Sequence, residues 1–534
     1  MKAFCQILIL FAIVFQSCQR YKQTTKKEAN KRPNVILIIT DDMGYSDIGC
    51  YGGEIQTPAL DQLASSGIKF SQFYNGGKCE PSRAIITTGH YYHTTRNQLW
   101  KDNLPSFGDV MSQAGYRTMM VGKWHAKGKP WERGFHRTFG HMSGATDFYV
   151  GDKSFQLDGN TWEVPKTGFY NTDANTDFAI KFIKEEKGKH PDKPFFMYLG
   201  YNAPHSPIQA PREDVEKYIG KYRKGWDAIR KERFERQKQM GLMNEGWKIT
   251  PRPENIHAWN LLSEKEKDFE DLRMATYAAM IDRVDQGIAK IIRQLEEMNI
   301  RDNTLIMFVN DNGGSPYDRV RGNGRPFNSP RSHWNVGLGW ANCSNTPFKY
   351  YKRTQHNGGN MTPFIASWPG VIDARKGYFD ESSHLMDIMP TLIDVARIEY
   401  PTTFKGLKIP ELPGKSLVPF FKNEKRALHD TLYFSLFRNH AVLLDNWKLV
   451  TAYDQPWALY DLDADRTETT DLFSENPEKA KELLTVWNNL KARQGKFIDN
   501  RAQGEAEPKR AFVYDDGGNL LPPQKELKAV PLAQ

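Results

Sequence analysis

The chain has 534 residues, of which 39% are hydrophobic and 26% charged, with a formal net charge of +9. That balance excludes a disordered protein, and the length suits two or more structural units or one large α/β domain with a smaller appendage. The positive charge fits a polyanionic partner, but no Lys/Arg block dominates and no zinc-finger-like motif occurs, so nucleic acid is not the expected partner.

The chain opens "MKAFCQILILFAIVFQSCQRY", with Lys2 followed by an apolar run through Phe15. The run is too short to span a bilayer in the usual way and reads as a secretory signal, residues 1–17. Gln16-Ser17-Cys18 has the form of a loose bacterial lipoprotein cleavage box, although Phe15 is an unusual residue three places before the cysteine. The expectation is an exported protein, periplasmic or held at the outer membrane by a lipid on Cys18, with residues 18–32 as a polar tether. No second apolar run is long enough for a membrane span. Cys5 leaves with the signal, so Cys50, Cys79 and Cys343 remain in an oxidising compartment. Cys50 and Cys343 either pair or stay apart. On any scheme one thiol is left over.

"NVILIITDD" (34–42) is a continuous apolar run that stops at Asp41 and Asp42, and "TPALDQLASSGIKF" after it has helical character. Such runs mark central strands of a parallel sheet covered on both faces. "GGKCEPSRAIITTG" (76–89) follows, and Pro81 suits the first turn of a helix, where its missing N–H costs nothing. On that reading Cys79 is a small buried hydrophobe beside a core helix. "AGYRTMMVGKWHAKG" (114–128) gives a strand from Thr118 to Val121 that exits into Lys123, Trp124 and His125. "KPFFMYLGY" (193–201) is another central strand, leading into a proline-rich loop with His205. Residues 212–262 form a charged, partly helical insert with several tryptophans. "MATYAAMIDRVDQGIAKIIRQLEEM" is a periodic helix before "TLIMFVNDNGG" (304–314), a strand that ends in Asn310, Asp311 and Asn312. A second insert, 317–334, is rich in Arg, Gly and Pro. The loop 345–370 carries Lys349, Lys352 and His356 before a strand from Pro363 to Trp368.

Alternating strands and helices predict a doubly wound α/β core, in which ligands bind beyond the carboxyl ends of the strands. Taken singly, the two acidic clusters are ordinary turns or helix caps. Their like positions make Asp41, Asp42, Asp311 and Asn312 a candidate oxygen-ligand set for a hard divalent cation, Ca²⁺ or Mg²⁺. After about residue 395 the pattern shifts to short alternating strands and one helix, "PEKAKELLTVWNNLKARQ". The expected organisation is a catalytic domain over 33–395, with a large mixed, mostly parallel sheet sandwiched by helices. A small C-terminal α+β subdomain with a short antiparallel sheet, and a polar tail, fills 396–534.

"CEPSR" fits the C-x-P-S-R signature of the type I sulfatases of the alkaline phosphatase superfamily, and "GYRTMMVGKWH" resembles their second signature. "ITDDMGYSDIGCYGGEIQTPALDQLASSG", "NDNGG" and "LYDLDADRTETTDLF" resemble further blocks of that family in the same order, over about residues 33 to 490. The resemblance implies hydrolysis of sulfate esters. It implies that a formylglycine-generating maturation enzyme reads Pro81 and Arg83 and oxidises Cys79 to Cα-formylglycine (3-oxoalanine), whose hydrate carries the attacking hydroxyl. A helix starting at Pro81 then aims N–H groups and a positive dipole end at that point, and Arg83 lies one turn in to steady the hydrate. By the same resemblance Asp41, Asp42, residue 79, Asp311 and Asn312 hold the cation, and Lys123 contacts the hydrate and sulfate. His125 is the base that acts as sulfate leaves, while His205 and Lys352 hold sulfate and assist departure of the alcohol. Where the family often has Glu-Gly-Gly after the lysine, this chain has Asn357-Gly358-Gly359, so any charge role of that glutamate is lost.

The expected substrate is a sulfated polysaccharide or its oligosaccharides. Arg319, Arg321, Arg325, Arg331 or His333 of the second insert would grip a carboxylate or a second sulfate, unless that insert is simply a solvated loop. The alternatives are a phosphodiesterase or phosphonate monoester hydrolase of the same superfamily, and a non-catalytic binder of sulfated glycans.

Overall fold

The computed structural model describes residues 32–99, 104–318, 320–321, 325–374, 377–424, 427, 429–453 and 455–494. The signal, most of the tether, Cys18, Arg319 and the tail after 494 lie outside the described residues. No helix among the described residues is long and apolar enough to cross a membrane.

A nine-stranded sheet runs through the molecule in the order Ile68–Phe70, Phe364–Ser367, Thr304–Asn310, Asn34–Thr40, Phe195–Gly200, Arg117–Gly122, Arg137–His141, Phe155–Leu157, Asn160–Thr161. The five strands from Thr304–Asn310 to Arg137–His141 are mutually parallel. Antiparallel neighbours close both edges. Every residue of Asn34–Thr40, Phe195–Gly200 and Thr304–Asn310 is buried, as continuous apolar runs require when both faces are covered. Helices Asn171–Lys189, Glu264–Glu297 and Pro58–Ser65 pack together, and Cys79–Thr88, Phe107–Gln113 and Ile388–Ala396 form a second group. The long helix starts where its chemistry asks. Ser263 and Glu266 form a reciprocal capping box ahead of the apolar stripe.

Register matters more than layer count. Thr40 lies opposite Asn310, Ile39 opposite Gly200, and Gly122 opposite Gly200. Four neighbouring parallel strands therefore end at one level, and the polar residues that follow each of them emerge side by side. Gly122 and Gly200 allow this crowding. A Cβ on Gly122, whose φ is +94, would sit 2.1 Å from the Gly200 carbonyl oxygen.

After the main sheet, Thr431–Leu436, Asn439–Leu444, Trp447–Thr451 and Ala458–Asp461 form an antiparallel four-stranded sheet, with helix Pro477–Gln494 packed on it. The alternation of side chains across each strand is used on both faces. Tyr433, Val442, Leu449 and Leu459 pack with Ala480, Leu483 and Trp487 of the helix. Leu432, Phe434, Ala441, Leu443 and Val450 belong to the main core. The small sheet is thus continuous with the large domain's interior.

The insert 212–262 braces the site from behind. Trp226 and Trp259 pack edge-on against each other and against buried Trp340, with ring centroids 4.8 to 5.7 Å apart. From helix Trp226–Gln239, Arg233 reaches Asp47 at 2.7 Å and Glu54 at 2.7 Å, its side chain wholly buried. Breaking such a buried pair leaves a stranded charge and typically costs about 3–5 kcal/mol, whereas an exposed pair is worth about 1 kcal/mol or less. Arg233→Met should therefore lower the denaturant midpoint strongly. Arg212→Ala, which loses only the exposed contact to Glu216 at 2.7 Å, should leave it nearly unmoved; equal midpoints for the two variants would contradict the bracing role.

Candidate active site

Asp41 and Asp42 follow directly on the strand Asn34–Thr40, and Asp311 and Asn312 on Thr304–Asn310. All four are buried. Asp42 has φ 64, the left-handed region that non-glycine residues seldom adopt. Tyr277 supports that backbone by donating from its hydroxyl to the Asp42 carbonyl at 3.2 Å and to Asp47 at 2.8 Å. The strain is local to the point where both carboxylates turn toward the same space.

Cations from four separate segments answer this buried acidity. Lys123, just past Arg117–Gly122, pairs with Asp41, and Lys352 pairs with Asp42. His205 Nε2 lies 3.5 Å from Asp42 Oδ2. Arg83 donates from Nε to Asp311 Oδ2 at 2.9 Å, and from Nη1 to the Tyr198 hydroxyl at 2.8 Å and the Lys123 carbonyl at 3.2 Å. Its Nη2 lies 3.9 Å from Asp41. Arg83 was expected to steady residue 79. Its hydrogen bonds run beneath the carboxylates, where it fixes Asp311, and Nη2 is buried without a hydrogen-bond partner.

Cys79 begins the helix Cys79–Thr88, two residues earlier than the start expected at Pro81, so its side chain stands at the helix N-terminus. Lys352 Nζ is 4.0 Å from its Sγ. Burial pushes the Cys79 thiol up, against the opposing pull of Lys352 and Lys123. A buried, protonated thiol is a poor nucleophile, so the position is not tuned for chemistry as a cysteine.

The charge balance sets the ionisation of each acid. Burial works to raise Asp41, but Lys123, His205, Arg83 and Lys352 together hold it well below the usual carboxylate range. Asp42 is lowered in the same way by Lys352 and His205 against its own burial. Asp311 goes the other way, up to about 7, through burial and the nearby charge of Asp41, which outweigh Arg83 and Lys123. A third carboxylate held up by its neighbours is what a cluster short of positive charge displays.

The donor set fits a cation on independent grounds. Asp41 Oδ1, Asp42 Oδ2 and Asn312 Oδ1 are buried oxygens that make no hydrogen bond. Ligand atoms of Asp41, Asp42 and His205 lie within 4.8 Å of one another. Buried oxygens without donors are costly unless something else satisfies them, and an all-oxygen set suits a hard divalent ion.

The two histidines are held differently. His205 Nδ1 contacts the Ser206 carbonyl at 2.5 Å. A carbonyl only accepts, so Nδ1 carries a hydrogen and the titrating position is Nε2, beside Asp42. Burial lowers His205 against the pull of Asp42 and Asp41. His125 has φ 45 and its ring lies against Gly144, where a Cβ would meet Nε2 at 3.1 Å. Burial, then Lys123 and Arg83, hold it well below its ordinary value, as a neutral imidazole.

Asn357 stands where a glutamate was expected from the resemblance. It accepts from Lys448 at 2.6 Å, and its backbone N–H donates to Glu468 at 2.9 Å. Glu468 also pairs with Lys448 at 2.7 Å, both wholly buried. A carboxylate is therefore present beside Asn357, supplied by the later block "LYDLDADRTETTDLF". Of the second insert, Arg325 and Arg331 are exposed, and Arg331 is anchored through its backbone N–H to Asp147 at 2.6 Å. His333 pairs with Arg321 in a two-residue ribbon whose Trp334 carbonyl accepts from Ile208, three residues beyond His205. The ribbon steadies the His205 loop. Cys50, Cys79 and Cys343 are all free and buried thiols.

A model of the Sulfatase family matches residues 33–398, and one described as N-sulphoglucosamine sulphohydrolase, C-terminal, matches residues 348–496. The chain is similar to an arylsulfatase of Klebsiella aerogenes, 32% identical over 69% of this chain and 88% of that protein. It is also similar to an N-acetylglucosamine-6-O-sulfatase of Bacteroides thetaiotaomicron, 27% identical over 92% of this chain and 91% of the relative. Among solved structures, Ps i-CgsB in complex with k-i-k-neocarrahexaose superposes with a TM-score of 0.63 at 25% identity, covering 89% of this chain and 96% of that one. With the family model spanning most of the chain and the acidic and basic residues of the matched motifs gathered at one set of strand ends, the protein belongs to the sulfatase family and is a sulfuric ester hydrolase.

Proposed function

We propose that this protein is exported and removes sulfate from a sulfated polysaccharide or its oligosaccharides, using residue 79 after its oxidation to formylglycine by a maturation enzyme. The observation that carries the catalytic part is that Lys123, Lys352 and His205 gather on the carboxylates of Asp41 and Asp42, with Lys352 also beside Cys79, while Asp41 Oδ1, Asp42 Oδ2 and Asn312 Oδ1 stay buried without donors. The substrate class is supported by a relative named for a sulfated amino sugar and a neighbouring structure that holds a neocarrahexaose. Export and a lipid on Cys18 rest on the sequence of the first 18 residues.

The roles follow from placement. Asp41, Asp42, Asp311 and Asn312 would hold the cation, Ca²⁺ or Mg²⁺. When bound, that ion neutralises charge on sulfate oxygens and acidifies a nearby hydroxyl. Formylglycine supplies, as its hydrate, a hydroxyl at the helix N-terminus. The chain's own residues do the rest. Lys123 and Lys352 face the same space as residue 79 and bind sulfonyl oxygens. Arg83 holds Asp311 and Tyr198 in register, which fixes the floor of the site. His205 presents Nε2 as the proton-carrying atom for the departing alcohol. Neutral His125 is suited to accept a proton from the hydroxyl at residue 79. Of the substrate contacts expected in the second insert, Arg321 and His333 belong to the ribbon that is tied to the His205 loop.

The nucleophile assignment is checked by mass spectrometry of the peptide spanning Cys79. The active protein should show the thiol replaced by an aldehyde, and Cys79→Ala should release no sulfate while melting normally. An unmodified thiol in active protein would refute the assignment.

General acid catalysis contributes about 10²–10⁴-fold when the leaving group is poor. His205→Ala should accordingly cut kcat on a sugar sulfate by that order, and much less on a nitrophenyl sulfate. Equal losses on both would remove His205 from the acid role.

Ca²⁺ or Mg²⁺ at about 100 times its dissociation constant should stabilise the fold by about 2.7 kcal/mol. The resulting rise in Tm should disappear in Asp41→Asn/Asp311→Asn. A rise that survives in that double variant would place the cation elsewhere.

A further inference from the structure

One group of side chains beside residue 79 has no part in the chemistry above. Lys78 immediately precedes Cys79, and Arg353 immediately follows Lys352. The two segments are locked together, because the Arg353 backbone N–H donates to the Gly77 carbonyl at 2.6 Å. Gly77 has φ 73, and a Cβ there would meet Gln355 Nε2 at 2.7 Å, so the approach of the two segments is close.

Both cations lie on one aromatic ring. Lys78 Nζ is 4.9 Å from the centroid of Phe437, and Arg353 Cζ is 5.4 Å from it. Arg353 is also 5.2 Å from the ring of Tyr317, at the start of the second insert. Phe437 comes from far along the chain, at the tip of the hairpin formed by Thr431–Leu436 and Asn439–Leu444. Leu436 pairs with Asn439, so Phe437 and Arg438 are the whole loop. Tight two-residue hairpin loops favour Asn-Gly or Asp-Gly because their backbone needs positive φ. Here Phe437 takes φ 54, a costly choice for a bulky residue. The strain holds an aromatic face against two cations whose chain neighbours are Cys79 and Lys352, and the Lys352 ammonium is 4.0 Å from residue 79. The acidic side chain of the same stretch, Glu80, takes the hydroxyl of Tyr92 at 3.1 Å. Lys78, Arg353 and Phe437 are each half-buried, so each keeps a face toward solvent.

We propose that Lys78, Arg353 and Phe437 form a second subsite beside residue 79, in which the two cations take another anionic group of the substrate and the Phe437 ring packs on a sugar face. The anion is a carboxylate or a second sulfate, on the sugar that bears the scissile ester or on its neighbour. Guanidinium and ammonium groups side by side match such an anion, and charge-assisted bonds are the strong ones. This inference rests on the sulfated-glycan reading and makes it specific. It places recognition of the second charge on the nucleophile segment, the Lys352 segment and the C-terminal hairpin, where the arginines of 317–334 were expected to serve.

The test compares kcat/KM of the matured full chain on four substrates: a nitrophenyl sulfate, a monosulfated neutral saccharide, a disulfated saccharide and a sulfated saccharide bearing a uronate. Rates are normalised to the formylglycine content measured by mass, because Lys78 adjoins the maturation motif. In Arg353→Ala, Lys78→Ala and Phe437→Ala, the preference for one of the doubly charged saccharides over the monosulfated one should fall about 10- to 100-fold, through KM, as loss of a charge-assisted contact implies. Arg353→Lys keeps the charge and should recover part of that preference, which guards against a variant that merely folds poorly. Whichever doubly charged saccharide loses more identifies the anion as sulfate or carboxylate. If the wild-type protein turns over sulfated saccharides and the variants leave the preference unchanged, or lower it through kcat alone, the subsite is refuted while the glycan reading stands. If the wild-type protein turns over the nitrophenyl sulfate and none of the saccharides, both fall together.

Discussion

Burying Asp41, Asp42 and Asp311 at the ends of two neighbouring parallel strands is the constraint on which the other features depend. Each carboxylate is removed from water, and its charge has to be met by protein groups or by an ion. The chain meets it with Arg83, Lys123, His205 and Lys352, which come from segments spread over more than half of the sequence. The match is incomplete, as the raised Asp311 shows. Because the groups share partners, their contributions cannot be separated residue by residue. The site holds as a unit, and its scaffold is the register that brings four strand ends to one level.

That scaffold was legible in the sequence because it is written in period and polarity. Runs such as "NVILIIT" and "TLIMFVN" can only be strands covered on both faces, and the residues that interrupt them mark where the chain leaves the sheet. The positions of Asp41, Asp42, Asp311, Asn312, Lys123 and His205 follow from that. Lys352 lies in an irregular loop without such a frame, and only the resemblance pointed to it. Arg83 was legible as part of the right helix, but nothing in a linear motif says that Tyr198 and Asp311 stand behind it. The packing of Trp226 and Trp259 could not be read from the insert alone, because their partner Trp340 is distant in sequence. Lys78, Arg353 and Phe437 carried a local signal: two cations adjoin the motif residues, and a Phe-Arg pair sits where a hairpin turn favours small polar residues. What joins them is tertiary and could not be read from spacing.

The C-terminal sheet is more than an appendage to this arrangement. Its inward face shares the main core, and its Lys448, with Glu468, clamps Asn357 five residues after Lys352. The last strands thus restrain the loop that carries one of the two lysines at the site. Glu468 also shows how the family pattern can be kept in space while it is broken in sequence. The negative charge expected at 357 arrives from more than a hundred residues downstream.

Burial of the Cys79 segment has a consequence for the order of events in the life of the chain. Cys79 is 4% exposed and Arg83 not at all. The maturation proposed for residue 79 needs Cys79, Pro81 and Arg83 within reach of an enzyme, which puts it before the fold closes over them. The architecture provides that interval. The strand Asn34–Thr40 is flanked by partners that begin at Phe195 and Thr304, the strand Phe73–Tyr74 just before the cysteine pairs with Ser383–His384, and the lysine beside the thiol is residue 352. During synthesis from the N-terminus, the motif is therefore complete long before the residues that bury it exist. On that proposal, the long separation along the chain leaves the segment open to modification until the later strands have been made.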